Sequence, residues 1–297
     1  MIRELMTAKE RFYTEKLECK YRGFMENVDN ESSNDFLEYF KSFKNDLNMG
    51  RIRAAEKIGE EWKVNFWVKQ FILLGLKYGN VKEFGLNAEG RFFDKETLGQ
   101  KKLRRSDKVR VTSNNVTIRD GCYVAQGVIC MSPSFINIGA YIDEDTLIDS
   151  NSLVGSCSQI GKKVHISAGA QIGGVLEPIG EFPVIIEDNV FVGGNCGIYD
   201  GAIVKKGAII GAGTIITGGV SVYDAVKGKI YSRTQSKPLV IPEGAMVVPG
   251  ARIIKGELFN GLKLSVQCPI IIKYVEDNYK SIKLEDVLRD LIPQELK

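Results

Sequence analysis

The sequence predicts a mainly β protein whose central part is a parallel β-helix, a solenoid of short strands wound into a three-sided prism. Two periodic signals predict it. Aliphatic residues recur every six positions, and small or β-branched residues recur in phase with them, four positions later. A period of six fits neither an α-helix nor a simple alternating strand. It fits short strands joined by tight turns, three of which complete one coil.

The aliphatic signal covers seventeen positions, and sixteen of them are Ile or Val. These positions are Ile118, Val124, Cys130, Ile136, Ile142, Ile148, Val154, Ile160, Ile166, Ile172, Ile186, Val192, Ile198, Val204, Ile210, Ile216 and Val222. Such side chains suit the inside of the prism, where burial of each stabilises the fold by roughly 1.5–3 kcal/mol. The longer step between Ile172 and Ile186 predicts a protruding loop within residues 173–184.

The second signal supplies small side chains where two walls of the prism would meet. Its members are Cys122, Val128, Ser134, Ala140, Thr146, Ser152, Ser158, Val164, Ala170, Val190, Cys196, Ala202, Ala208, Thr214 and Val220. Gly and Asx residues between the signals favour tight turns, because they adopt backbone conformations that other side chains resist. Together the signals predict about six stacked coils.

The period also delimits the domains. We predict a helical N-terminal domain and linker over residues 1–108, the β-helix over 109–256, and C-terminal strands and a helix over 257–297. The tail reads as two strands, at 262–266 and 270–274, followed by a helix at about 284–291. Within the β-helix the register is lost after Val222, in a stretch that reads as a hairpin around Gly228. The aliphatic period then returns at Ile241, Val247 and Ile253, which predicts one further coil.

Composition excludes several classes of function. The net charge of +3 over 297 residues, with one short basic run at 101–105, gives no basic face for nucleic acid. No apolar run approaches the roughly 18 residues of a membrane span, and the N-terminus does not resemble a secretory signal. The six cysteines are scattered without a CxxC pair, which favours a reducing cytoplasm. A single histidine, His165, excludes a multi-histidine metal site such as that of a prism-shaped carbonic anhydrase, so no metal is expected.

Several blocks go beyond a generic repeat. They are FINIGAYID at 135–143, GSCSQIG at 155–161, GGVLEP at 173–178 and IIED at 185–188, with RAAEK at 53–57, Trp62, Trp67 and RFFDK at 91–95 outside the repeat. These blocks resemble tetrahydrodipicolinate N-succinyltransferases of the hexapeptide-repeat acyltransferase family. The resemblance implies a left-handed parallel β-helix, a homotrimer with sites between neighbouring prisms, and transfer of a succinyl group from succinyl-CoA to an amino dicarboxylate in lysine and diaminopimelate synthesis.

The resemblance also nominates site residues. Asp149, which follows the inward Ile148, matches the family's aspartate and is expected to orient the substrate amine. Arg110 matches its carboxylate-binding arginine, since a guanidinium fork suits a carboxylate. The family's catalytic glutamate, however, falls on Gly197, and the family's tryptophan two positions after the aspartate is Asn151. Asp200, which could also be a plain turn residue before Gly201, is therefore a substitute candidate, as is Glu177.

For acyl-CoA, glycine amides of the late coils and two nearby cations are candidate contacts, although turns and solvated surfaces are their ordinary explanation. These residues are Gly211, Gly213, Gly218, Gly219, Arg252 and Lys255. Cys196 falls on an inward small position, which favours packing over nucleophilic chemistry. His165 should point outward, and we assign it a structural or interface role.

Two alternatives stay open. The protein could be an acyltransferase of the same fold that uses acetyl-CoA, or another amino acid or amino sugar, a reading motivated by Gly197. It could also be a non-catalytic trimeric scaffold, although a scaffold would need the ladders and not the specific GGVLEP block. Fold alone does not decide among these.

Overall fold

The protein, described from a computed structural model, is resolved here over residues 2–30, 32–85, 92–254 and 264–275. Three sets of parallel strands form the walls of a prism. Wall 1 begins with strand Tyr123–Val124, wall 2 with Arg110–Val111 and wall 3 with Val116–Ile118, and the chain passes from wall 2 to wall 3 to wall 1 in each coil. The predicted fold class is confirmed. Walls 1 and 3 each contain six strands, which agrees with the predicted number of coils.

Each wall is built from very short strands. Wall 1 comprises Tyr123–Val124, Tyr141–Ile142, Gln159–Ile160, Ile185–Ile186, Ile203–Val204 and Val240–Ile241. Wall 2 comprises Arg110–Val111, Ile129–Cys130, Leu147–Ile148, His165–Ile166, Phe191–Val192, Ile209–Ile210 and the start of Ala245–Ile253. Wall 3 comprises Val116–Ile118, Ser134–Ile136, Ser152–Val154, Gln171–Ile172, Gly197–Ile198 and Ile215–Ile216.

The inside of the prism is the predicted core. All seventeen residues of the aliphatic ladder are buried, and they form one cluster with most of the small residues at the wall junctions. Because each strand contributes one outward and one inward side chain, the outward residue immediately precedes the ladder residue. Leu147, for example, faces out beside inward Ile148 and pairs with His165 of the next coil.

Two departures from the period have physical causes. The connection over residues 173–184 joins wall 3 to wall 1, as every turn at that edge does, so the longer step is an insertion into a single turn. Beyond Ile241 and Val247, strand Ala245–Ile253 does not turn onto wall 3. It pairs antiparallel with Ser265–Tyr274, leaving Ile253 69% exposed. The predicted return of the period at Ile253 is therefore wrong.

The end of the solenoid carries the predicted hairpin. Val222–Asp224 pairs antiparallel with Lys229–Tyr231 around Gly228. The two predicted tail strands are one continuous strand, Ser265–Tyr274, within the described residues. The helix predicted over 284–291 lies outside the described residues.

The N-terminal region contains three helices: α1 (Ile2–Asn27), α2 (Ser33–Asn48) and α3 (Phe66–Tyr78). Ser32 caps α2 by accepting the Asp35 amide at 3.2 Å. Gly75 allows α2 and α3 to approach, because a Cβ there would lie 2.2 Å from the Phe40 ring. Short 3₁₀ turns complete the region at Val28–Asn30, Glu96–Leu98 and Arg105–Asp107.

Two β-hairpins in this region were not predicted as strands. They are Ala55–Ile58 with Glu61–Val64, and Val81–Phe84 with Phe92–Lys95. The first hairpin covers wall 1. Arg53, just before it, stacks 3.5 Å from the centroid of the Tyr141 ring, and its Nε donates to Gln159 at 2.9 Å. Trp62 donates to the buried Glu187 carboxylate at 2.8 Å, so wall 1 faces the N-terminal region.

The cysteines make a testable distinction. Cys19 is exposed, and the other five are buried and free. Burial raises the pKa of Cys122, Cys130 and Cys157 to about 12, so these thiols are poor nucleophiles. We expect a thiol reagent to label one cysteine per native chain and six after denaturation, counted by intact-mass spectrometry. A Cys19→Ser variant should then show no native labelling, and rapid native labelling of a second thiol would contradict this burial pattern.

Candidate functional site

Asp149 lies at the edge where wall 2 turns into wall 3. Its amide donates to the Ile166 carbonyl at 2.9 Å, and its Oδ1 accepts the amide of Ser150 at 2.7 Å. The first bond fixes the backbone in the winding, and the second fixes the carboxylate. The side chain is half-buried and lies outside the core, which is the orientation that the alternation predicts.

His165 lies on wall 2, beside Asp149. It pairs with Leu147 in the preceding coil, and its ring centroid lies 4.9 Å from that of Phe191 in the next. Burial lowers the pKa of His165, and the nearby Asp149 carboxylate opposes this effect. The imidazole is therefore mainly neutral at pH 7. Sequence reasoning placed His165 outward but did not place it beside Asp149.

Arg110 lies on the same wall, at its first strand. It is exposed and pairs with Ile129, which in turn pairs with Leu147. Two strand spacings of about 4.8 Å place Arg110 roughly 10 Å along the prism axis from the coil of Asp149. Wall 2 thus presents a cation, an imidazole and a carboxylate on one side of the molecule.

Asp200 lies elsewhere, at the edge between walls 3 and 1. Its backbone is left-handed with φ of 54°, and its Oδ2 accepts the Gly218 amide at 3.0 Å. That bond fastens one coil to the next, which is a turn role. The coil of Asp200 is also two strand spacings beyond that of Asp149. The structure therefore does not bring Asp149 and Asp200 together within one chain. Glu177 is exposed in the loop over 173–184, at the same edge as Asp200.

Gly197, the position of the family's glutamate, is covered by an aromatic ring. A Cβ built there would lie 2.4 Å from Cε2 of Tyr199. Both residues flank the inward Ile198, so both face outward on wall 3. Sequence reasoning noted Gly197 but missed Tyr199. The two-residue spacing on one strand was the signal that could have found it.

Three of the four glycines predicted to contact acyl-CoA already use their amides in hydrogen bonds within the protein. The Gly211 amide donates to Val247 at 2.7 Å, and that of Gly213 donates to Gly194 at 2.9 Å. The Gly218 amide is held by Asp200. Because these three amides already donate within the protein, the three glycines could help to bind acyl-CoA only by letting the ligand approach the backbone closely. Gly219 has open space where a Cβ would stand.

One of the two predicted phosphate contacts, Arg252, lies beyond the prism. Arg252 is exposed on the long terminal hairpin, opposite Val266. Lys255 lies outside the described residues. The inward Cys196 donates to the Gly211 carbonyl at 3.0 Å, and burial raises its pKa. Packing of Cys196, as predicted, fits these contacts.

Two cavities border the first N-terminal hairpin, which is formed by Ala55–Ile58 and Glu61–Val64. One, of about 800 Å³, has Trp62, Trp67 and Phe182 in its lining, and the other, of about 600 Å³, has Arg53 and Glu187. Neither is lined by Asp149, Arg110 or Asp200. In a single chain Arg110 and Asp200 are exposed and Asp149 is half-buried on the outside of the prism, so a second surface would be needed to enclose a ligand.

Walls 2 and 3 differ from wall 1 in carrying uncovered apolar side chains. Phe191 on wall 2 is 41% exposed and Ile215 on wall 3 is 38% exposed. Partly exposed apolar side chains also point outward on these two walls, at Ile129 and Leu147 on wall 2 and at Phe135 and Leu153 on wall 3. Apolar faces of this kind mark contact surfaces.

Two further findings concern the described part of the chain only. No group of three or more His, Cys, Asp or Glu side chains there is arranged to hold a metal ion. None of the helices there has the length and apolar character needed to cross a bilayer.

Fold and site together define a hexapeptide-repeat β-helix with polar groups on its outer faces. Comparison with known proteins gives a narrower result. The family model described as "Tetrahydrodipicolinate N-succinyltransferase N-terminal" matches residues 23–77, and "Hexapeptide repeat of succinyl-transferase" matches residues 183–218. The resemblance predicted from the sequence is confirmed in both the N-terminal region and the prism.

Curated relatives carry the corresponding name. The 2,3,4,5-tetrahydropyridine-2,6-dicarboxylate N-succinyltransferase of Dechloromonas aromatica is 38% identical over 34% of this chain and 38% of its own length. That of Acinetobacter baylyi is 40% identical over 34% and 37%. The matched region thus spans less than half of these relatives. A solved chain from Campylobacter jejuni, described as a tetrahydropyridine-carboxylate N-succinyltransferase, is 14% identical, with a TM-score of 0.42, over 79% of this chain and 62% of its own.

Proposed function

We propose that this protein is an acyl-CoA-dependent N-acyltransferase that transfers a succinyl group from succinyl-CoA to an amino dicarboxylate. The acceptor is ring-opened tetrahydrodipicolinate, and the reaction belongs to diaminopimelate and lysine synthesis. The observation that carries the proposal is the match of two separate segments to family models. The N-terminal segment matches a model named for tetrahydrodipicolinate N-succinyltransferase, and the segment in the prism matches a repeat model named for succinyl-transferase. The free thiols suit a cytoplasmic location.

The outer groups can be given roles in that reaction. The acceptor amine must be held in its neutral form against the thioester carbonyl. Asp149, anchored by the Ser150 amide, would accept a hydrogen bond from the amine and take up its proton. Arg110 on the same wall supplies a cation for a substrate carboxylate. Asp200, Gly219 and Arg252 remain candidates for contacts made from a neighbouring chain.

We propose further that the protein is a homotrimer whose sites lie between prisms. Asp149 and Asp200 occupy different edges of one prism, and cyclic packing would place one edge of a chain against another edge of its neighbour. The exposed apolar side chains on the outer faces of walls 2 and 3 supply the surfaces that such packing would bury. An extended acyl-CoA fits the long groove between two prisms.

The proposed interface can be tested with a single charge. We expect Phe191→Glu to dissociate the trimer, because a carboxylate would be buried among the apolar side chains of wall 2 without a partner. Light scattering should show a mass of three chains for the wild type and one for the variant. Val226→Glu, in the turn of the hairpin around Gly228 and 54% exposed, is the matched control and should stay trimeric. A wild-type monomer would contradict the proposal.

The function is tested by CoA release with tetrahydrodipicolinate as acceptor. We expect turnover with succinyl-CoA at a kcat/KM at least tenfold above that with acetyl-CoA. Equal or reversed preference would replace the succinyl assignment by the acetyl alternative, which the change at Gly197 favours. Absence of both transfer and CoA binding by calorimetry would favour the trimeric scaffold.

A further inference from the structure

The ring of Tyr199 lies flat across two coils of wall 3. A Cβ at Gly197 would lie 2.4 Å from its Cε2 and 2.9 Å from its hydroxyl, and a Cβ at Gly173 would lie 2.8 Å from its Cδ1. Neither glycine has a positive φ, so the backbone does not require glycine at either position. The ring does, because a side chain at Gly197 would occupy the volume that the ring fills.

The Tyr199 hydroxyl is an unused donor on this outer face. The residue is half-buried, and within the described part of the chain its hydroxyl makes no hydrogen bond. A phenol hydroxyl can donate one hydrogen bond, whereas an ionised carboxylate can only accept. The Tyr199 hydroxyl lies over Gly197, where the family has a carboxylate, so the chemistry available on this part of wall 3 changes from accepting a proton to donating a hydrogen bond.

We propose that Tyr199 is a catalytic residue whose hydroxyl donates to the thioester carbonyl oxygen of the acyl donor. This inference rests on the proposed function. In that reaction the amine nitrogen attacks the carbonyl carbon, and the oxygen becomes negative. The carbon–sulfur bond then breaks, and the proton lost by the amine passes to the CoA sulfur. The group in this sequence that needs a donor is the developing oxyanion.

The geometry assigns separate tasks to two walls. In the proposed trimer, Asp149 at the edge of wall 2 of one chain accepts the amine proton, and Tyr199 on wall 3 of the neighbouring chain stabilises the oxyanion. A carboxylate on wall 3 is then unnecessary, which accounts for Gly197. The proposed role of Tyr199 also accounts for the packing of its ring against Gly173, since this packing fixes the direction of the hydroxyl.

The first test removes only the hydroxyl. Tyr199→Phe keeps the ring and its packing on both glycines. We expect kcat with succinyl-CoA to fall about 10²–10³-fold, as for loss of one oxyanion donor. The KM for each substrate should stay within about twofold, as should the affinity for CoA by calorimetry, because the interaction forms mainly in the transition state.

The second test keeps the hydroxyl and moves it. Gly197→Ala should lower kcat by a comparable factor, because its Cβ would displace the ring. The double variant Gly197→Ala with Tyr199→Phe should lose no more than either single variant, since both remove one interaction. Gly23→Ala, in α1 with open space around it, is the matched control and should keep wild-type kcat.

The outcomes separate the two proposals. Wild-type kcat in Tyr199→Phe, or a raised KM with kcat unchanged, overturns this inference and leaves the proposed function in place. Strictly multiplicative losses in the double variant also overturn it. A wild-type protein that transfers no acyl group overturns the proposed function, and the role of Tyr199 with it.

Discussion

Replacement of Asp149 by Asn is expected to reduce acyl transfer by at least about 100-fold, the lower end of the contribution of a positioned acid–base group. The amide is nearly isosteric, and its oxygen can still accept the Ser150 amide now bound at 2.7 Å. The fold should therefore persist. What is lost is the negative charge that, in the proposed reaction, accepts the proton of the amine. The measurement is CoA release at saturating succinyl-CoA, with trimer mass checked by light scattering.

Asp143→Asn provides a matched control. The Oδ1 of Asp143 likewise accepts the amide N–H of the next residue, Glu144, at 2.9 Å, but Asp143 follows wall 1 and not wall 2. Its substitution should leave turnover within about twofold. Full activity in Asp149→Asn, with an intact trimer, would show that the site is wrongly assigned.

The same variant has a second, independent readout. The Asp149 carboxylate raises the pKa of His165 against the lowering effect of burial. Loss of the charge should therefore lower the pKa of His165 further. Because the chain has a single histidine, one imidazole resonance in an NMR titration reports this shift. An unchanged titration would mean that the two groups are not neighbours.

The prism could be predicted from sequence because its core is one-dimensional. Each ladder residue meets its counterpart one coil away, as Ile148 meets Cys130 and Ile166. Three steps of six residues return the chain to the same wall, so residues eighteen apart along the chain, such as Cys130, Ile148 and Ile166, meet in space. The period failed at Ile253, where antiparallel pairing with Ser265 took over from winding. Pairing with a distant strand leaves no signal in a local period.

The first N-terminal hairpin was not predicted, for a related reason. The strands Ala55–Ile58 and Glu61–Val64 are short and show little alternation. They are held by contacts with wall 1, such as that of Arg53 with Tyr141 and that of Trp62 with Glu187. Tertiary contacts of this kind override weak strand propensity.

The site was predicted less completely than the fold. Asp149 and Arg110 could be placed on the outer surface by alternation, because each lies next to an inward residue. The proximity of His165 to Asp149 required knowledge of which coils stack. In the proposed trimer, the open groups along wall 2 and wall 3 would form one cleft where two prisms meet, and a single sequence contains no direct signal for that packing.

The ladder itself predicts the largest change in stability. Ile148 is fully buried, between Cys130 and Ile166 in the stacked coils. Ile148→Ala should lower the free energy of unfolding by about 2–5 kcal/mol, since it removes buried methyl groups and leaves a cavity that a regular solenoid cannot easily close. Urea unfolding at fixed protein concentration, followed by circular dichroism, measures the loss.

Ile253→Ala is the matched control for the ladder. It deletes the same atoms from a side chain that is 69% exposed on the terminal hairpin, so its cost should stay within about 0.5 kcal/mol. Equal costs for the two variants would mean that Ile148 does not support the core. A large cost at Ile148 alone links the sixfold period to stability, and through the neighbouring Asp149 to the position of the carboxylate on which the proposed chemistry depends.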